Sequence, residues 1–180
     1  MKITTQTSVI LIILYIAITA FANPFIYQTP LKKIASTDVR TLDGKTYNTA
    51  SISNNGKPII ISIWETTCKP CINELDAISD QYEQWQKETG VKLIAISIDG
   101  PRTIGTVESV VKSRGWEYEV YKDVNQDFKR AMNIGFCPYT YLLDSTGNIV
   151  WEKGAYLAGD ETILYELVKK LSRGEKILGN

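Results

Sequence analysis

Ile59-Ile60-Ile61-Ser62-Ile63-Trp64-Glu65-Thr66-Thr67-Cys68-Lys69-Pro70-Cys71-Ile72-Asn73-Glu74-Leu75 is the stretch on which the fold turns. Its first six residues are a β-type run. From Cys68 onward the apolar positions Ile72, Leu75, Ile78, Tyr82 and Trp85 recur every three or four residues, which predicts one helix closed by Gly90. Pro70 suits the first turn, where a missing N–H costs no hydrogen bond. A thiol at this strand-to-helix junction faces unpaired backbone N–H groups and the positive end of the helix dipole. Both stabilise a thiolate, the species that attacks disulfides. Placement matters more than the two-residue spacing of Cys68 and Cys71, which arises by chance in many chains. The junction therefore points to thiol–disulfide chemistry. The chain has no histidine, and this removes most competing chemistries.

Working outward, Thr37–Leu42 and Thr46–Thr49 flank Asp43-Gly44, a strong hairpin signal. Asn54-Asn55-Gly56-Lys57-Pro58 is a turn into the first core strand. Val91–Ile98 is a nearly continuous β-branched run, as expected of a strand buried on both faces. Asp99-Gly100-Pro101 stops it. Thr103 to Arg114 reads as a second helix, Trp116–Tyr121 alternates like a strand, and a short helix is predicted around Gln126–Met132. Tyr139–Leu143 and Ile149–Glu152 flank a second hairpin turn, Asp144–Asn148. Asp160 opens a last amphipathic helix with Ile163, Leu164, Leu167, Val168 and Leu171 on its apolar face. This order predicts an α/β fold, a central mixed β-sheet flanked by helices with an added N-terminal β-hairpin.

At 180 residues the chain has the length of one domain with a substantial core. Twenty basic and twenty acidic residues are interspersed, which gives no nucleic-acid footprint and no membrane-binding face. Residues 1–22 differ in kind. Lys2 precedes the apolar run Val9–Ile18, and Ala20-Phe21-Ala22 offers a cleavage site before Asn23. This is the grammar of a secretory signal peptide, with an uncleaved N-terminal anchor as the alternative. Residues 23–33, with Pro24 and Pro30, read as a tether, and 34–180 as the folded domain. The domain is expected to be periplasmic, or otherwise outside the cytoplasmic membrane, with no membrane insertion after leader cleavage. An exported chain with three cysteines has one thiol left over if two pair. A pair two residues apart closes almost no loop and adds little stability, so Cys68 and Cys71 are better explained by chemistry.

Taken together, Trp64–Cys71 with Glu74 downstream, Gly135-Phe136-Cys137-Pro138 before the second hairpin, and the leading hairpin resemble the exported TlpA/ResA-type thiol–disulfide oxidoreductases of the thioredoxin superfamily. The resemblance spans about Ile34 to Leu171. It implies a thioredoxin-like fold in which Cys68 is the nucleophile and Cys71 the resolving thiol, forming a redox-active Cys68–Cys71 disulfide. Thioredoxin keeps a buried acid six positions before its first cysteine, where this chain has Ser62, whereas the ResA-like subgroup carries a glutamate at the place of Glu74. Glu74, three residues after Cys71 on one helix face, is then a proton acceptor and donor for it; the alternative is a solvated helix glutamate. Pro138 resembles the cis-proline facing the active-site disulfide in this superfamily, with an ordinary trans proline as the alternative. Trp64 supports the floor of the site or serves only the core.

Cys137 departs from the family pattern, which places Thr, Val or another non-cysteine residue before the cis-proline. It reads as part of the substrate-facing loop, as a partner in an alternative disulfide with Cys68, as the third ligand of a soft-metal site, or as a small buried hydrophobe. A zinc site needs further Cys or His ligands, and only Cys137 is at hand. No cofactor and no metal is expected. Without a histidine between the cysteines the reduced form is less stabilised, which leans the pair towards a reductase. The partners implied are disulfide-containing exported proteins, such as apocytochrome c, and a membrane thiol-reductant donor. Two other functions compete. A thiol peroxidase of the peroxiredoxin type carries Thr or Ser where Glu65 stands, within a proline-led motif absent here. A non-enzymatic soft-metal-handling protein would use all three cysteines.

Overall fold

A computed structural model describes residues 32–177. The proposed leader and most of the tether lie outside the described residues. The strands are β1 (Asp38–Thr41), β2 (Thr46–Asn48), β3 (Ile59–Trp64), β4 (Lys92–Ser97), β5 (Glu119–Lys122), β6 (Tyr139–Leu143) and β7 (Ile149–Gly154). The helices are α1 (Lys69–Ser79), α2 (Tyr82–Thr89), α3 (Val107–Arg114), α4 (Asp127–Ala131) and α5 (Asp160–Ser172). The sheet runs β2-β1-β5-β4-β3-β6-β7, with β3, β4 and β5 parallel and the other pairings antiparallel. This is the α/β mixed sheet with a leading hairpin that the sequence predicts.

β3 is buried along its whole length because both faces of the sheet are covered. Ile60 and Trp64 face a core built with α1, α2, α3 and α5, including Leu75, Ile78, Trp85, Val107, Leu164 and Val168. Ile59, Ile61 and Ile63 face the opposite core, where Phe128 of α4 packs with Met132 and Ile134. Each fully buried side chain of this size contributes about 2 kcal/mol of transfer free energy. The alternation places Ser62 on the α1 face, where its register partner on β6 is Thr140.

Four features differ from the sequence reading. The helix expected from Cys68 to Gly90 is two helices, broken at Asp80-Gln81, where Gln81 has φ −120° and ψ 0°. The break swings Tyr82 so that its hydroxyl accepts from the Leu93 amide at 2.8 Å and from Gln86 Nε2 at 2.9 Å. Gly90 does close the second helix, at φ 69°. The helix expected from Thr103 starts as a 3-10 turn, Ile104–Thr106, and becomes α-helical only at Val107. Trp116 and Tyr118 alternate like strand residues but precede β5. They are held by aromatic packing, Trp116 edge-on to Trp64 at 5.1 Å and stacked on Tyr118 at 5.6 Å. On α5, Leu164 and Val168 are buried, yet Ile163 is 56% exposed.

At the entrance of the chain, Lys33 bridges to Asn148 and the Lys32 carbonyl accepts from the Ile149 amide at 2.7 Å. These residues lie against the β6–β7 hairpin. Among the described residues no helix is long and apolar enough to cross a membrane.

Candidate active site

β3 ends at Trp64 and α1 begins at Lys69, so the connecting loop delivers Cys68 as the N-cap of α1. Its sulfur accepts from the Cys71 amide at 3.2 Å, one of the donors that a helix start leaves unpaired. Cys68 is half-buried, while Cys71, one turn in, is fully buried. The two are joined as a disulfide, with an S–S distance of 2.05 Å. Trp64 lies fully buried in the core that contains Cys71 and against which Cys68 and Cys137 pack.

Glu74 points back under the helix to the sheet. It is 6% exposed. Oε1 accepts from Thr140 Oγ1 at 2.8 Å and Oε2 from Ser62 Oγ at 3.2 Å, so the carboxyl spans the β3–β6 pair. Burial pushes its pKa up to about 7, against the pull of the two hydroxyls. Asp160 at the start of α5 pushes the same way and Lys153 on β7 opposes it. The carboxyl thus occupies the space beside Ser62, and the solvated-helix alternative does not describe it.

The loop facing α1 is Gly135–Pro138. The Cys137–Pro138 peptide is cis, as the resemblance implies, and the Pro138 carbonyl accepts from the Ala155 amide at 2.9 Å. Phe136 is 58% exposed and its ring lies against Gly154, where an added Cβ would come within 2.6 Å of it. Cys137 is a free thiol. Burial pushes its pKa up to about 11, with Glu65 and Asp99 adding to the rise and Lys129 opposing it. The three sulfurs of Cys68, Cys71 and Cys137 all lie within 4.8 Å of one another. In the reduced state they would offer three soft ligands; in the disulfide state two are committed to each other.

Asp99 is a site residue that the sequence reading treats only as the end of a strand. Buried at 1% exposure, it accepts from the Thr66 amide at 2.9 Å, Thr66 Oγ1 at 2.6 Å and Ser97 Oγ at 2.8 Å. It therefore fixes the loop that positions Cys68. Its partner Thr66 is 33 residues away in sequence, and only the Ser97–Asp99 spacing hints locally at a turn held by side chains.

Residues 30–152 match the model of the AhpC/TSA family. A curated relative, "Thiol-disulfide oxidoreductase ResA" of Geobacillus kaustophilus, is 26% identical over 151 residues, covering 82% of this chain and 84% of its own. The solution structure of an uncharacterized thioredoxin-like protein from Porphyromonas gingivalis is 43% identical, with a TM-score of 0.70, covering 78% of this chain and 92% of that one. A putative thiol:disulfide interchange protein DsbE from Chlorobium tepidum, at 16% identity and a TM-score of 0.68, covers 79% and 96% and shares the fold.

Proposed function

The chain belongs to the AhpC/TSA family of the thioredoxin superfamily, and from that premise we propose that it is an exported disulfide reductase acting on protein substrates. It is a thiol–disulfide oxidoreductase like the relatives it matches. The observation that carries the finer reading is the Cys68–Cys71 disulfide at the start of α1, backed by a buried Glu74 and faced by the Cys137–Pro138 loop.

In the reduced protein the Cys68 thiolate, stabilised by the helix start, attacks one sulfur of a substrate disulfide. The substrate S–S bond breaks, its electron pair leaves on the other substrate sulfur, and a mixed disulfide forms on Cys68. Cys71 then gives its proton to Glu74 and attacks Cys68 Sγ. The second substrate sulfur leaves as a thiolate, and the protein is left with the Cys68–Cys71 disulfide. Two electrons have passed to the substrate, so a dithiol donor must reduce the pair again. A carboxyl with a pKa of about 7 is half ionised near neutral pH, where it can both take and return that proton. Pro138 and Cys137 line the groove that receives the substrate chain, and Trp64 holds its floor.

The signal-peptide grammar of residues 1–22 supports export, with 23–33 as tether and 34–180 as the working domain. Apocytochrome c is a fitting substrate by its paired cysteines, and a membrane thiol-reductant a fitting donor. The peroxidase reading is weaker: Glu65 stands where a hydroxyl is needed, and the next hydroxyl, Thr66, is turned to Asp99. Insulin reduction with a recycling dithiol tests the proposal. The wild type should precipitate insulin and Cys68→Ser should match the uncatalysed rate. Peroxide turnover without insulin reduction would reverse the assignment.

A further inference from the structure

The two-cysteine cycle leaves Cys137 without a role in the chemistry, although its sulfur is within 4.8 Å of both members of the disulfide. A thiol this close to a disulfide has the reactants of an exchange reaction already assembled. The two candidate targets differ. Cys71 is fully buried, whereas Cys68 is half-buried at the open end of α1 and faces the loop that carries Cys137. Resting on the reading above, we infer that Cys137 is a third exchange thiol, and that the protein interconverts between the Cys68–Cys71 disulfide and a Cys68–Cys137 disulfide.

The step balances without an outside oxidant. The Cys137 thiol loses its proton to solvent, its thiolate attacks Cys68 Sγ, and a Cys68–Cys137 bond forms. The Cys68–Cys71 bond breaks, the electron pair leaves on the Cys71 sulfur, and Cys71 is protonated. That proton comes from solvent, which has received one from Cys137, so the step releases and takes up one proton. The oxidation state of the protein does not change.

The second disulfide would tie the start of α1 to a loop already fastened to the β7 end through the Ala155 amide. Cys68 would be withdrawn from substrate and the groove covered, a closed form that reductant reopens. The groups around Cys137 make entry into this form slow at neutral pH. Burial, Glu65 from the loop before α1 and Asp99 from the end of β4 disfavour its thiolate, while Lys129 of α4 favours it. Below its pKa a thiol's ionised fraction grows about tenfold per pH unit, so exchange should be about a hundredfold faster at pH 9 than at pH 7.

The test uses the full protein with Cys71→Ser, treated with glutathione disulfide and followed by peptide mapping after acid quench. Cys68 should take one glutathione and Cys137 should then expel it, leaving a monomer with a Cys68–Cys137 bond, no bound glutathione and no alkylatable thiol. The conversion should follow the pH dependence above. A persistent glutathione adduct on Cys68 with Cys137 still alkylatable would overturn this inference and leave the reductase reading intact. A Cys68 that takes no glutathione would overturn both. In the wild type, incubation of the oxidised protein at pH 9 should yield the Cys68–Cys137 peptide; only the Cys68–Cys71 peptide would contradict it.

Discussion

Asp99 and Glu74 are both buried carboxyls of the candidate site, yet their surroundings differ in kind. Asp99 accepts from a backbone amide and two hydroxyls, all within 2.9 Å, and these bonds hold the Thr66 loop in front of Cys68. Glu74 accepts from two hydroxyls only, and the desolvation of its carboxylate outweighs them, so its pKa rises to about 7. The donors around a buried carboxylate decide what it does. A well-supplied one anchors backbone, and an under-supplied one becomes a proton carrier.

Substitutions can break this contrast. Asp99→Ala should have the largest effect on stability, a loss of about 3 kcal/mol in urea unfolding, because a backbone amide and two hydroxyls lose their acceptor. Exchange should slow with it as the Cys68 loop loosens. An effect below about 1 kcal/mol would show that Asp99 is no anchor.

Glu74→Gln should act in the opposite sense on stability. Folding raises this pKa from 4.5 to about 7, so the native state holds more protons than the unfolded state between those values. The contribution of this one group to stability is therefore fully present below pH 4.5, falls as pH rises through 7, and is gone above it, a loss of about 3 kcal/mol. The glutamine variant should lack this slope and be more stable than wild type at pH 8, while disulfide exchange at pH 7 falls about tenfold to a hundredfold. A wild-type unfolding free energy flat from pH 5 to 8 would remove the distinction between the two carboxylates.

Thr140→Val sharpens the comparison by taking one of the two donors from Glu74. The midpoint of the pH–rate profile should move up by about one unit. An unmoved midpoint would mean that Thr140 does not tune the group. The smallest effect is expected on α5, where Ile163→Ala, at a position that is 56% exposed, should cost less than about 0.5 kcal/mol in urea unfolding.

Local signals in the sequence carried most of the framework. Asp43-Gly44 marks the first hairpin, and Gly44 adopts φ 86° as its turn requires. The β-type run and the thiol at the helix start place the disulfide, and Pro138 falls where the facing loop turns. What escaped was non-local. The break at Asp80-Gln81 interrupts an apolar pattern that continues through it, because both helices pack on one core and only the Tyr82 hydroxyl bonds explain the turn. Trp116 and Tyr118 imitate a strand because aromatic stacking, not sheet pairing, buries them. Asp99 and Thr140 reach the site across 33 and 66 residues of sequence, distances at which residue spacing carries no information. Ile163 falls on the edge of its helix's apolar stripe, where periodicity alone does not separate covered from open positions.

The central claim is that Cys68 attacks substrate disulfides and Cys71 releases them. Expressing the Cys71→Ser/Cys137→Ser double variant, which keeps Cys68 but neither thiol within reach of it, in the native host and isolating its covalent partners tests it most directly. Mixed disulfides through Cys68 to exported, cysteine-paired proteins, absent from a Cys68→Ser control and released by reductant, are the predicted result. Recovery of nothing above that control would contradict it.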